Sequence, residues 1–280
     1  MTIKEGTLLW EPSAEMQEQA NLTHYMNWLT REKGLTFHGN EELWAWSVDH
    51  LADFWASLWD YFHIQASRPY TTVLASAEMP GARWFVGARL NYAEHALRTR
   101  GQSYPALISH SETRLLTESC SWDELYRQVA AVAASLRSWG VQPGDRVVNY
   151  MPNIPETVIA FLATASLGAV WSSCAPEFGT QSVIDRFQQI EPKVLFAVDG
   201  YRYGGKVIDR RTILSELQAE LPTLEKTVIL PYAFADTSPA NYASAVLWPE
   251  ITQGEHELTF EQVPFDHPLW ILYSSGTTGL

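Results

Sequence analysis

Ser121-Trp-Asp-Glu-Leu-Tyr-Arg-Gln-Val-Ala-Ala-Val-Ala-Ala-Ser-Leu-Arg-Ser-Trp-Gly-Val-Gln-Pro-Gly-Asp-Arg-Val-Val-Asn-Tyr150 spells one complete passage from helix to strand. Ser121 and Glu124 have the spacing of a capping box, and Leu125, Val129, Val132 and Leu136 share one helical face. Gly140 stands where a helix ends, and Pro143-Gly-Asp145 turns the chain into a strand from Arg146 to Tyr150. The same unit then recurs. A helix from about Pro155 to Leu167 stops at Gly168 before the apolar strand Ala169 to Ser172. Thr180 caps a third helix to Ile190, Pro192 ends it, and Val194 to Val198 forms the next strand. Thr212 to Leu221 and Thr227 to Leu230 repeat the pattern. Helix and strand alternating through short connections predict an α/β fold, a parallel sheet covered by helices on both faces, with ligands at the carboxyl ends of its strands.

Leu269 to Tyr273 is a fully apolar run of strand length, expected as a central strand of that sheet. It passes into Ser274-Ser-Gly-Thr-Thr-Gly279. Gly276 and Gly279 let backbone N–H groups approach an anion, while Ser274, Ser275, Thr277 and Thr278 add hydroxyl donors, so the turn suits β- and γ-phosphate oxygens. It is not a Walker A loop, because no Gly-Lys-Ser/Thr follows. A flexible Ser/Thr/Gly linker is the plain alternative, and the strand leading in argues against it.

Residues 1–98 differ in texture from residues 99–280 and are expected to form a separate, mainly helical extension. Six of the twelve tryptophans precede Tyr61. Phe54, Trp55, Leu58, Trp59 and Phe62 recur at helical spacing within Asp49 to Phe62, as a core stripe does. Pro69 and Pro80-Gly81 break the pattern, and a helix is expected from Asn91 to Arg98. Residues 231–264 read as mostly irregular.

The 280 residues are 46% hydrophobic, enough for a large core, and 32 acidic against 19 basic side chains give a net charge of -13. That field repels nucleic acid and anionic lipid surfaces, so neither is an expected partner. No signal peptide or bilayer-length apolar run is present, and a cytoplasmic location is expected. Cys120 and Cys174 read as reduced core thiols. The eight histidines lack HExxH or CxxC-type spacing, so no protein-ligated metal is expected.

Tyr273-Ser-Ser-Gly-Thr-Thr-Gly279 resembles the phosphate loop of the acyl-adenylate-forming superfamily, and Pro143-Gly-Asp-Arg-Val147, Asn153-Ile-Pro-Glu156 and Gly168-Ala-Val170 resemble its early signature. Arg83-Trp-Phe-Val-Gly-Ala-Arg-Leu-Asn-Tyr92 is similar to the N-terminal extension of the acetyl-CoA synthetase branch. Gly168-Ala-Val-Trp-Ser-Ser-Cys-Ala-Pro-Glu-Phe-Gly179, Val183-Ile-Asp-Arg-Phe187 and Ile190-Glu-Pro-Lys193 resemble the acetoacetate:CoA ligases within that branch.

The resemblance implies a two-step, AMP-forming ligation with ATP, Mg2+, CoA and acetoacetate. It implies phosphate binding by Ser274, Ser275, Gly276, Thr277, Thr278 and Gly279. It also implies contact between CoA phosphates and Lys206 and Arg202 of Arg202-Tyr-Gly-Gly-Lys206, although Tyr203 stands where the family has one of two arginines. A pair of solvated loop cations is the alternative reading of that stretch. The family's adenine and ribose contacts, Mg2+-binding glutamate and adenylating lysine have no counterpart in the 280 residues. The chain is therefore expected to be an N-terminal fragment, inactive alone and carrying no catalytic residue. Two other readings remain beside it: a ligase for acetate or propionate, and a noncatalytic nucleotide- or CoA-binding module.

Overall fold

The computed structural model describes residues 4–274, which form two compact units: residues 4–64 with 70–87, and residues 65–69 with 88–274. The first unit contains α1 (Ala14–Glu18), α2 (Asn21–Lys33), α3 (Asn40–Asp49), α4 (Leu51–Tyr61) and an antiparallel pair, β1 (Thr72–Ser76) and β2 (Arg83–Val86). Buried Tyr25, Leu29 and Leu43 form its centre, with Trp46, Phe54 and Leu58 packed against them. The aromatic stripe supplies much of the packing: Trp59 stacks on Phe85 at 4.7 Å between centroids, and Trp46 meets Phe54 edge-on at 5.9 Å. The expected helix Asp49 to Phe62 is shortened at its start. His50, at φ -124° and ψ 55°, separates α3 from α4.

The second unit begins with β3 (Arg89–Leu90) and α5 (Tyr92–Ala96), followed by the hairpin β4 (Leu107–Ser109) and β5 (Glu118–Cys120). Its alternating part is α6 (Trp122–Ser138), β6 (Arg146–Tyr150), α7 (Pro155–Ser166), β7 (Val170–Cys174), α8 (Thr180–Gln188) and β8 (Val194–Val198). Then come the hairpin β9 (Gly200–Tyr203) and β10 (Lys206–Asp209), α9 (Arg211–Glu220), β11 (Lys226–Leu230), β12 (Ala245–Leu247), α10 (Trp248–Ile251), β13 (Val263–Pro264) and β14 (Trp270–Ile271). Six strands make a parallel sheet in the order β12-β11-β8-β6-β7-β14.

Side chains alternate across this sheet because a strand has a period of two. Val147, Trp171, Phe196 and Val228 enter one core with Leu125, Val129, Val132 and Leu136 of α6 and Ile159 and Ala163 of α7. Val148, Tyr150, Leu195 and Ile229 enter the other, with Val183 and Phe187 of α8 and Leu214 and Leu217 of α9. A strand with both faces covered has no polar side, which is why all five residues of β8 are apolar and buried.

Three expectations need correction. Among the described residues β14 is an edge strand paired with β7 alone, not a central one, and Leu272 beyond it is 75% exposed. An apolar run specifies a strand without specifying its place in the sheet. Thr180 is the first residue of α8, and Gly179 occupies the cap position without a side-chain bond. Asn91 is itself the cap of α5, its carboxamide oxygen accepting from the N–H groups of Ala93 and Glu94, and regular α-helix ends at Ala96. The stretch 231–264, read as mostly irregular, is so, with the short β12 and α10 inside it; Thr227, Val228 and Ile229 pair with Ala245, Val246 and Leu247.

Candidate functional site

The carboxyl ends of β6, β7, β8 and β14 lie along one edge of the sheet, and buried polar side chains fix the loops that leave them. Tyr150, last in β6, donates its hydroxyl to the carbonyls of Pro176 and Phe178 at 2.8 and 3.2 Å. Burial pushes that hydroxyl up to about 12, so it stays a proton donor across the neutral range. Arg210 grips the same loop, its Nε 2.8 Å from the Pro176 carbonyl while its Nη2 donates to the Tyr201 hydroxyl at 3.2 Å. The loop after β7 is thereby held from β6 and from the turn after β10.

Arg186 joins the exits of β7 and β14. Its guanidinium lies 5.5 Å from the Phe178 ring centroid and 5.6 Å from that of Tyr273, within cation–π range of both. Its backbone carbonyl accepts the Tyr273 hydroxyl at 2.8 Å, and burial raises the Tyr273 pKa. Ser274 follows, exposed. Ser275, Gly276, Thr277, Thr278 and Gly279 lie outside the described residues.

The exit of β8 is built around Asp199, which is fully buried. One carboxylate oxygen accepts the N–H groups of Tyr232 and Ala233, both at 2.9 Å, and the other accepts the Phe234 N–H at 3.2 Å and the Thr237 hydroxyl at 2.7 Å. Asp199 is thus a capping group deep in the interior, its carboxyl oxygens satisfied by four donors. A Cβ on Gly200 would fall 2.7 Å from both the Ile208 carbonyl oxygen and the Phe234 ring, so the β9–β10 hairpin can lie this close only with glycine there.

Arg202 and Lys206 stand on that hairpin, on either side of its Gly204-Gly205 turn. Both glycines have positive φ, 56° and 75°. The Arg202 N–H donates to the Thr113 hydroxyl at 2.9 Å, and its Nη1 reaches back to the Gly205 carbonyl at 3.2 Å. Lys206 is exposed and has no ion pair with a described residue. Sequence reasoning missed Glu112, whose two carboxylate oxygens accept the N–H groups of Gly204 and Gly205 at 3.1 and 2.8 Å. No local pattern could have found it, since partners more than ninety positions apart leave no periodic trace.

Ser274 follows β14, whereas Arg202 and Lys206 stand on the hairpin that follows β8. β8 and β14 are separated by β6 and β7, so the strand exits lie roughly 14 Å apart at about 4.8 Å per strand. Cys174 is a buried free thiol raised to about 11 by burial, inert as a nucleophile. Among the described residues no three His, Cys, Asp or Glu side chains gather as a metal site.

Comparison with known proteins sets this geometry in a family. Residues 93–280 match the family described as AMP-binding enzyme, and residues 40–96 match the acetyl-coenzyme A synthetase N-terminus. The acetoacetyl-CoA synthetase of Danio rerio is 38% identical over 99% of the chain, and the acetoacetyl-coenzyme A synthetase of Rhizobium meliloti is 39% identical over 97%. The solved structure of acetoacetyl-CoA synthetase from Streptomyces lividans superimposes with a TM-score of 0.92 at 51% identity over 97% of the chain. The chain spans 42% of the length of each of these three. The chain belongs to the AMP-binding enzyme family.

Proposed function

We propose that the chain is the phosphate- and CoA-binding portion of an ATP-dependent acetoacetate:CoA ligase. The observation that carries the reading is the course of β14, which runs parallel to β7 and delivers Ser274 at the carboxyl edge of the sheet, where ligands of open α/β folds bind. The names of the three relatives support acetoacetate as the acid. In the first step a carboxylate oxygen of acetoacetate attacks the α-phosphorus of MgATP, forming the acyl–phosphate bond and expelling pyrophosphate. In the second, the CoA thiolate attacks the acyl carbon, and AMP leaves as the thioester forms.

The chain's own part is electrostatic. Hydroxyl and N–H donors of Ser274, Ser275, Gly276, Thr277, Thr278 and Gly279 hold the β- and γ-phosphates, so that charge accumulating on departing pyrophosphate meets donors already in place. Arg186, braced against Phe178 and Tyr273, keeps the entry to that loop in register with the loop after β7. Lys206 and Arg202, on the hairpin that follows β8, take CoA phosphate. Magnesium enters this reading as the ion carried by the triphosphate substrate.

Calorimetric titration with MgATP tests the loop: Thr277→Val with Thr278→Val should weaken binding by about tenfold, the worth of one or two charged hydrogen bonds. Unchanged affinity would remove the assignment. Joining the chain to the unmatched remainder of the Streptomyces lividans relative allows a carboxylate panel. Acetoacetate-dependent pyrophosphate exchange is expected to exceed that with acetate or propionate, and the reverse order would reassign the acid.

A further inference from the structure

The turn between β9 and β10 already holds an anion, and that anion is part of the chain. Gly204 and Gly205, both in the left-handed region, aim consecutive N–H groups at one carboxylate, each oxygen of Glu112 taking one. Successive N–H groups converging on a pair of oxygens are the fork that a phosphate also fits. The charges around it match the same purpose, since Arg202 precedes the turn, its Nη1 reaching the Gly205 carbonyl at 3.2 Å, and Lys206 follows it. Donation from Gly205 and Gly204, with the nearby Arg202 charge, holds the Glu112 carboxyl below the usual carboxylate range.

Glu112 is not needed to brace the hairpin. The four-residue ladder between β9 and β10 and the Arg202 N–H bond to Thr113 already fix it. Its own segment is anchored separately: the Ser111 hydroxyl meets that of Tyr232 at 2.7 Å, and Arg114 pairs with Glu156 at 2.5 Å. A carboxylate set between two rigid anchors therefore occupies two donors and offsets a cation at the place where the reading above seats a CoA phosphate.

We propose that Glu112 is a displaceable internal plug of this anion seat, which a phosphomonoester must expel to bind. The inference rests on the assignment of Lys206 and Arg202 to CoA. It gives a sign that a structural brace would not: removing an acid side chain should improve ligand binding. The glycines, the flanking cations and the hydroxyl of Thr113 all remain in Glu112→Gln, while the competing charge is gone. At neutral pH the plug is fully ionised in the chain as it stands, so competition is greatest there.

Calorimetry with CoA on the 280-residue chain, Glu112→Gln and Lys206→Ala, repeated with dephospho-CoA, which lacks the ribose phosphate, separates the possibilities. Glu112→Gln should bind CoA about five- to tenfold more tightly and show no gain with dephospho-CoA, while Lys206→Ala should bind CoA more weakly. If Lys206→Ala weakens binding but Glu112→Gln is unchanged or weaker, the plug is refuted and the CoA assignment stands. If Lys206→Ala has no effect, or no form binds CoA, the assignment falls and the plug with it. A folding defect in Glu112→Gln leaves a second measurement on the unsubstituted chain. Saturating CoA should move the amide proton resonances of Gly204 and Gly205, and resonances that stay in place overturn the proposal.

Discussion

At the scale of single residues, the close approach of the β9–β10 hairpin to the loop after β11 depends on the missing side chain of Gly200. A methyl group there would meet a backbone carbonyl and an aromatic ring, neither of which is the free end of a flexible chain. Gly200→Ala should therefore cost about 1–3 kcal/mol, the range of overpacking in a filled interior. A urea unfolding curve measures it, and a midpoint within error of the unsubstituted chain would show that the hairpin gives way freely. The same change should weaken any ligand held by Arg202 and Lys206, because it shifts the strand that carries them. Gly200 was not singled out from sequence, since its role comes from Ile208 and Phe234, one across the hairpin and one in another loop.

At the scale of elements, local chemistry was legible and long-range placement was not. Ser121, Leu136 and Gly140 state the beginning, the buried face and the end of α6, and the structure repeats each: the Ser121 hydroxyl accepts the Glu124 N–H at 3.1 Å and Gly140 has φ 75°. The capping box is only half made. The Glu124 side chain turns to Arg127 at 2.7 Å and to Gln128 at 2.6 Å, and this pairing, led by the Arg127 hydrogen bond, lowers its pKa. Ser121→Ala should thus cost about 1 kcal/mol in thermal or denaturant unfolding, as loss of an N-cap does. Glu124→Ala should cost less, because it removes a partly exposed ion pair and no cap. Equal losses would mean that the two residues act as one unit. What sequence misplaced or left out depends on a distant partner: β14 at the edge, β12 within a Pro-bearing stretch, and the Glu112 carboxylate on the Gly204-Gly205 turn. Of the candidate site, the Arg202 to Lys206 turn could be read because Gly-Gly marks it, whereas its anion could not.

At the scale of the whole molecule, the net charge of -13 opposes every ligand proposed for it, since ATP, CoA and acetoacetate are all anions. Two kinds of force then act with different dependence on salt. The field of the whole chain acts over the Debye length, about 30 Å at 0.01 M salt and about 10 Å at 0.1 M, and it slows the approach of an anion. The contacts made by Lys206, Arg202 and the backbone donors act within hydrogen-bond distance and are screened far less. Raising salt from 0.01 to 0.1 M should therefore increase the association rate of CoA, measured by stopped flow, while the dissociation rate changes little. A chain that instead presented a broad basic face would show the opposite slope, with association falling as salt rises. That outcome would mean that capture is steered over long range, and the local account of the seat built from Gly204, Gly205, Arg202 and Lys206 would have to give way to one involving the surrounding surface.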